Sequence, residues 1–271
     1  MTRRCALLLP LGATLAAQPA ESPISWSPHP VFNGAPVLFR SKIWSGPATW
    51  LDKEIEFRPD ADGFTALAGV DLKRAPGNYP LTFGSRTLDI PVTARTYRTS
   101  VITVAPKFID PPQEVQARIA EESATKLKVF KSSVPERLWQ GAFTAPSNTR
   151  YASSFGVRRT YNGKTQSVHQ GLDYSAALGT EIRAANAGRI ALAAKMYFEG
   201  GFIVIDHGES IFTLYMHLSD FLVKGGDTVE KGAPLAKSGA SGRVTGPHLH
   251  FAVRWQGLYL EPSTLLRLWS A

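Results

Sequence analysis

Alternating apolar and polar positions run through most of the chain and predict short β-strands. Between about residues 26 and 104, turn sequences separate these runs roughly every ten residues. In the run KEIEFRP, Ile55 and Phe57 alternate with charged residues, as in a strand with one buried face. Strands at this spacing predict a small, immunoglobulin-like β-sandwich.

One segment departs from the β pattern. The run QEVQARIAEESATKLKVF, which begins at Gln113, is rich in helix-forming residues, and basic residues lie near its end, where they suit a helix C-terminus. Asp110, two prolines and Gln113 resemble a capping box at a helix start. The pattern predicts a helical connector followed by a loop.

Beyond residue 150, glycine turns separate short β-branched or apolar runs, such as GGFIVIDHG and PHLHFAVRW. We therefore expect a mostly β protein in three parts. A β-sandwich domain covers residues 21–105, a helical connector and loop cover 106–149, and a second β-rich domain covers 150–271.

The first residues, MTRRCALLLPLGATLAAQPA, combine two arginines, a short apolar stretch and small residues. This is the pattern of a secretory signal peptide, and the apolar stretch is too short to span a bilayer as a helix. We expect residues 1–20 to be a signal peptide and the protein to be exported to the periplasm, cell wall or medium. No other segment is long enough to span a membrane.

Composition narrows the possible chemistry. The chain is 44% hydrophobic and 19% charged, as in soluble globular proteins. Cys5 is the only cysteine and lies in the predicted signal, so any metal in the mature protein needs nitrogen and oxygen ligands. The net charge of +8 predicts attraction to an anionic cell envelope. No basic helix, zinc finger or aromatic RNA-binding strand motif supports a nucleic-acid partner.

Histidine is scarce, and five of the six histidines lie in the C-terminal half. Residues two apart in a strand share a face. In IFTLYMHL this rule predicts a core face of Phe212, Leu214, Met216 and Leu218. The opposite, polar face has Thr213, Tyr215 and His217. In PHLHFAV, His248 and His250 share a polar face, opposite Leu249, Phe251 and Val253.

Further upstream, His169 and Asp173 lie four residues apart around Gly171. Imidazole and carboxylate ligands suit zinc, and the H-x-x-x-D and H-x-H motifs together with His217 predict a metal site. Catalytic zinc keeps three protein ligands and one open position. Four histidines and one aspartate therefore leave two imidazoles for proton transfer and oxyanion stabilisation. The pattern leaves open which two.

Over about residues 151–253 the chain resembles the lysostaphin/LytM-type zinc endopeptidases, which cut peptidoglycan cross-links. The similar motifs are FGVRR, HQGLDYSA, GTEIRAANAGRI, VIDHG, LYMHLS, GDTVEKGAPLAKSG and GPHLHFAV. The resemblance implies a β-sheet groove in the C-terminal domain. It implies that the zinc ligands are His169, Asp173 and His250, and that the catalytic histidines are His217 and His248. We expect His207 to be structural or groove-lining.

The expected function is that of an exported zinc metalloendopeptidase, which uses a metal-activated water on peptidoglycan stem peptides and cross-links. Glycine bridges and cross-links between D-alanine and diaminopimelate remain alternative substrates. A non-catalytic peptidoglycan-binding regulator of a cell-wall amidase is the alternative function, although the intact set of five residues favours an enzyme. A biotin or lipoyl carrier modified at Lys195 is disfavoured, because it has no use for the histidines. We assume a monomer.

Overall fold

The computed structural model describes residues 23–152, 155–163 and 165–269. The predicted signal peptide lies outside the described residues. Within them the chain is mostly β, as the sequence predicts, with a 3-10 helix at Pro106–Phe108 and two α-helices, α1 (Gln113–Lys131) and α2 (Pro262–Leu265). In these described ranges, no helix has the length and apolar character needed to cross a membrane.

The described strands are, in chain order, β1 (Ile24–Ser27), β2 (Val31–Phe32), β3 (Pro36–Ser41), β4 (Pro47–Trp50), β5 (Lys53–Glu56), β6 (Arg58–Asp60), β7 (Gly63–Gly69), β8 (Gly77–Phe83), β9 (Arg86–Thr93), β10 (Thr99–Ile102), β11 (Tyr151–Ala152), β12 (Arg158–Tyr161), β13 (Thr165–Val168), β14 (Leu172–Tyr174), β15 (Glu181–Arg183), β16 (Gly188–Met196), β17 (Gly200–Asp206), β18 (Ile211–Phe221), β19 (Thr228–Val229), β20 (Pro234–Ser238), β21 (Leu249–Trp255) and β22 (Leu258–Leu260).

The front half contains two sheets that share a core. Their strand orders are β1-β3-β7-β6 and β2-β9-β8-β4-β5. Phe39 of the first sheet meets Trp50 of the second edge to face, with ring centroids 5.5 Å apart. The Trp50 indole N–H donates to the Gly69 carbonyl at 3.1 Å, so the contact is both apolar and polar. The immunoglobulin-like assignment and the domain boundaries stay predictions.

The C-terminal half is built on a ten-stranded sheet whose main path is β11-β14-β21-β18-β17-β16-β19. Its central strands are buried on both faces. Thr213 and Tyr215 of β18 are 0% exposed, so the prediction that they lie on a polar, non-core face is wrong. The H-x-H strand follows its prediction: Leu249, Phe251 and Val253 belong to the main core.

Helix α1 explains why the outer face of the sheet is covered. Its last turns bring Val129 and Phe130 onto a small cluster of buried residues: Met196, Phe202, Val204, Phe212, Leu214 and Ala252. Phe130 meets Phe212 edge to face at 5.4 Å. The predicted helix is confirmed, but the capping box is wrong, because Pro112 occupies the N-cap position and no side chain caps the helix.

The two halves are joined by several contacts. Strand β10 pairs in parallel with β12 and so continues a three-stranded sheet, β10-β12-β13, beside the larger sheet. Arg95 and the buried Glu261 form an ion pair of 2.7 Å. Strand β10, which lies between the front sheets and α1 in the chain, is therefore part of the sheet that contains β12.

His207 is a buried structural residue, in line with its prediction. It is 0% exposed, and its Nδ1–H donates to the Ala187 carbonyl at 2.7 Å. Its Nε2 lies 2.7 Å from the Thr213 hydroxyl oxygen. Burial lowers the pKa of His207 to about 4, although the Ala187 hydrogen bond opposes the shift. The folded protein therefore holds this imidazole neutral.

The lowered pKa of His207 predicts a specific acid sensitivity. Below about pH 6.5 the unfolded chain binds a proton at this position, whereas the folded protein does so only near pH 4. Stability should fall across that window by up to ~1.4 kcal/mol per pH unit. His207→Gln should be less stable at pH 7.5 but lose less stability between pH 6.5 and 4, as measured by urea unfolding. Exposed His29→Gln is the control, and parallel curves for His207→Gln and the wild type would refute the assignment.

Candidate metal centre and groove

Strand pairing brings the H-x-x-x-D and H-x-H motifs together. Asp173 of β14 and His250 of β21 are direct partners in the antiparallel ladder. His169 lies just before β14, where its backbone N–H donates to the Val157 carbonyl at 2.9 Å. Sheet register and one backbone contact therefore fix all three side chains in one place.

Gly171 makes this approach possible. A Cβ at this position would lie 2.5 Å from the Phe251 carbonyl oxygen and 2.6 Å from His250 Nε2. Any side chain would push the neighbouring strand or the imidazole away, since real Cβ atoms essentially never come that close. Glycine is therefore required between His169 and Asp173.

The three side chains form a compact triangle of possible ligand atoms. His169 Nε2 lies 2.8 Å from His250 Nδ1 and 3.1 Å from Asp173 Oδ1. His250 Nδ1 lies 3.0 Å from the same carboxylate oxygen. Two imidazole nitrogens and a carboxylate oxygen at these separations fit a cation bound at roughly 2.0–2.2 Å from each. These are the three residues predicted as ligands, and their side chains fit a metal ion.

The electrostatics favour the protonation states that a metal needs. Burial raises the pKa of Asp173, but the hydrogen bonds from His169 and His250 outweigh burial and hold it well below its ordinary value. Burial lowers the pKa of His250 to about 4, although its hydrogen bond to Asp173 opposes the shift. At neutral pH the centre thus contains an ionised carboxylate and a neutral His250 imidazole, both able to bind a cation.

Arg159 holds the second oxygen of Asp173. Its Nη2 donates to Asp173 Oδ2 at 2.7 Å, and only Oδ1 faces the two imidazoles. No role was predicted for Arg159. It lies on β12, which belongs to a different sheet from Asp173, and the sequence does not indicate that the two sheets meet. The only local signal is strand alternation, which turns Arg159 inward and leaves its neighbour Arg158 exposed.

His217 and His248 lie beside the triangle, with ring centroids 4.8 Å apart. His217 Nδ1 donates to the Ser241 carbonyl at 2.9 Å, and His248 Nδ1 donates to the Gly246 carbonyl at 2.8 Å. Because a carbonyl only accepts, each ring carries a proton on Nδ1, and in its neutral form each ring can accept a further proton on Nε2. His248 Nε2 is 3.9 Å from Asp173 Oδ1. Both rings can therefore accept a proton close to the triangle.

An irregularity in β18 sets the position of His217. Its φ of 67° is left-handed, its N–H donates to the Glu199 carbonyl at 2.9 Å, and the pairing register shifts nearby. Strand alternation breaks there, because Met216 and His217 both line the groove while Leu218 packs in the main core. The prediction that Leu218 shares a face with Met216 is wrong for this reason.

Burial, together with the neighbouring His250 and His248, lowers the pKa of His217 to about 3. The imidazole is therefore neutral at physiological pH. All five predicted site residues line a single open cavity of about 320 Å³. Ile102 and Val104, at and just beyond the end of β10, line the same cavity, so the segment before α1 contributes part of its wall.

A comparison with known families agrees with this site. Residues 167–262 match Peptidase family M23. The chain thus contains a Peptidase M23 domain, and the predicted resemblance to lysostaphin/LytM-type peptidases is confirmed. All five residues discussed above lie within the matched range.

Among curated proteins, the chain is 38% identical over 117 residues to the peptidoglycan DD-endopeptidase ShyC of Vibrio cholerae. It is 38% identical over 114 residues to the DD-carboxypeptidase/endopeptidase Mpg of Neisseria meningitidis. These matches cover 43% and 42% of this chain but only 27% and 26% of the relatives. The chain therefore aligns with about a quarter of the length of each relative.

A crystal structure from Pseudomonas aeruginosa, whose description names peptidase M23, is similar over most of the chain. Its TM-score is 0.66 at 23% identity, and the similarity covers 88% of this chain and 95% of the other. At this identity the similarity supports the fold alone, including the mostly β architecture of both halves.

The Arg159–Asp173 contact predicts a role in metal binding. Arg159→Gln should weaken metal affinity by ~10–100-fold, because the carboxylate loses the partner that orients it. Metal competition with a chromogenic chelator measures the effect, and Arg158→Gln is the control with the same loss of charge. Tighter metal binding by Arg159→Gln would contradict this prediction. It would mean that repulsion between the guanidinium and the cation has a larger effect on affinity than the orientation of the Asp173 carboxylate.

The close packing at Gly171 predicts a second effect on the same measurement. Gly171→Ala should lower metal affinity by ~10-fold or more, because the added methyl group displaces His250. Gly225→Ala is the matched control, since nothing lies within 4 Å of its added Cβ. Thermal unfolding shows whether each variant is folded, and a folded Gly171→Ala protein with wild-type affinity would contradict the packing argument.

Proposed function

We propose that the protein is an exported, zinc-dependent endopeptidase that hydrolyses peptide cross-links of peptidoglycan. The observation that carries this proposal is the triangle of His169, Asp173 and His250 with two further imidazoles beside it. The relatives named as peptidoglycan DD-endopeptidases support the substrate class.

His169, Asp173 and His250 are the proposed zinc ligands. Two imidazoles and one carboxylate are a known protein ligand set for catalytic zinc. When bound, zinc supplies Lewis-acid polarisation of the scissile carbonyl and lowers the pKa of a coordinated water to about 7. The protein contributes the fixed geometry: the β14–β21 ladder holds two of the ligands, and Arg159 fixes which carboxylate oxygen faces them.

His217 and His248 are the proposed catalytic residues. Each has its Nδ1–H anchored on a backbone carbonyl, so Nε2 is the nitrogen available for proton exchange. One of them accepts the proton of the attacking water. That proton then passes to the leaving amine nitrogen as the C–N bond breaks, either directly from this ring or through the other one. When the other ring has taken a proton from solvent on Nε2, it donates a hydrogen bond to the developing oxyanion. The fixed Nδ1 contacts keep both rings oriented while Nε2 changes its protonation state.

The predicted signal peptide supports export to the periplasm or cell wall. The net charge of +8 is favourable for a protein that works on an anionic cell envelope. A monomer with one groove is sufficient for the proposed chemistry, because all five residues come from a single chain.

Two alanine variants separate metal binding from catalysis. His169→Ala should lose both bound zinc and hydrolysis of purified peptidoglycan sacculi. His248→Ala should keep zinc while hydrolysis falls by ~100–10,000-fold, the usual contribution of general acid–base catalysis. Chromatography of released fragments and metal analysis of dialysed protein give the two readouts, with His29→Ala as the control.

Wild-type rates in both variants would refute the site assignment. A zinc-loaded wild-type protein that binds sacculi but releases no fragments would instead support a non-catalytic regulator. Cleavage by protein from which the metal has been removed by chelation and dialysis would refute the proposed zinc dependence.

A further inference from the structure

Arg243 is a cationic side chain in the groove that has no carboxylate partner among the described residues. It lines the same cavity as His217 and His248. The backbone N–H of Arg243 donates to the Phe198 carbonyl at 2.8 Å. The described contacts of its guanidinium are with two aromatic rings, those of Tyr161 and Phe198. The N–H donors of the guanidinium are therefore available to a ligand.

The two rings hold the arginine in place. The guanidinium carbon is 4.7 Å from the Tyr161 ring centroid and 5.1 Å from that of Phe198. Phe198 in turn meets Tyr197 edge to face at 5.0 Å. A guanidinium stacked on aromatic rings loses less conformational freedom when it binds, and its planar fork of donors matches a carboxylate.

The other charged side chains in the groove are already paired. Arg159 is bound to Asp173, and Glu199 is paired with Lys126 of helix α1. Lys126 of the connector therefore balances the charge of Glu199. Glu199 forms no described ion pair with Arg243. Among the described residues of the groove, this leaves Arg243 as the cation without an acidic partner, able to meet a negative group of a substrate.

Arg243 is also tied to the catalytic histidines through the backbone. The Ser241 carbonyl, two residues earlier, accepts the hydrogen bond from His217 Nδ1. His248 follows five residues later on the same segment. A peptide with its scissile bond beside these histidines therefore lies within the cavity that Arg243 also lines.

We propose that Arg243 is a specificity-determining residue that binds a free carboxylate of the peptide substrate. The proposal rests on the proposed function and narrows its substrate. In a cross-link whose amide joins two carbon centres of D configuration, the centre that supplies the amide nitrogen also has a free carboxylate. That carboxylate is attached to the carbon next to the nitrogen. A glycine bridge has no such group. Arg243 selects the first type through a charge-assisted, bidentate hydrogen bond.

A matched pair of substrates tests the assignment. Two synthetic cross-linked peptides differ only at the carboxylate beside the scissile amide, which is free in one and amidated in the other. The zinc-loaded wild type should cleave the acid with a kcat/KM ~10–100-fold higher than the amide, as expected for a hydrogen bond between charged groups. Most of the difference should appear in KM, since the carboxylate is bound before and during the reaction.

Variants assign that preference to Arg243. Arg243→Gln should cleave the acid as slowly as the amide, with little change for the amide itself. Arg243→Lys should recover part of the preference because it restores the charge without the fork. Arg158→Gln removes an exposed charge and should keep the wild-type preference. Equal losses on both peptides in a folded Arg243→Gln protein would overturn the proposal, since Arg243 would then only support the loop that holds His217.

Binding to the metal-free, full-length protein separates this inference from the proposed function. Calorimetric titration of both peptides should show tighter binding of the acid to the wild type, and no preference in Arg243→Gln. If the loaded wild type cleaved neither peptide but this binding preference remained, the proposed reaction would fail and the carboxylate site would stand. Equal binding of both peptides to the wild type would overturn the carboxylate site.

Discussion

The pairing of Asp173 with His250 across the β14–β21 ladder is the constraint on which the rest of the site depends. Side chains of direct antiparallel partners lie close together on one face, and here Gly171 lets the strands come close enough. Arg159 then reaches the carboxylate from a separate three-stranded sheet. The centre lies where two sheets meet, so its precision depends on packing between sheets as well as on register within one.

A short turn, residues 197–199, connects this centre to the helical connector. From α1, Glu122 accepts a hydrogen bond from the Tyr197 N–H, and Lys126 pairs with Glu199. On its other side the turn accepts the backbone N–H groups of His217 and Arg243. The left-handed backbone of His217 costs free energy, as such conformations do in non-glycine residues. The contacts that hold it extend beyond the matched M23 range into the connector.

Several features were predictable because they depend on local sequence. The close spacing of His169 and Asp173, and the alternation that puts His250 opposite the core residues, are properties of short segments. Helix α1 follows from composition. The position of His217 was harder to predict, because a register shift breaks the alternation that the prediction used. Arg159 and Arg243 have no distinctive local pattern, since their roles arise only when distant strands and loops meet.

Strand β10 and helix α1 lie outside the range that matches the M23 family, yet one pairs with β12 and the other seals the outer face of the large sheet. Without α1, the apolar surface around Phe212 would be in contact with water, at a cost of about 25 cal/mol for each Å² uncovered. The range that matches the M23 family therefore does not cover its own sheet alone, and segments that precede it in the chain complete the packing.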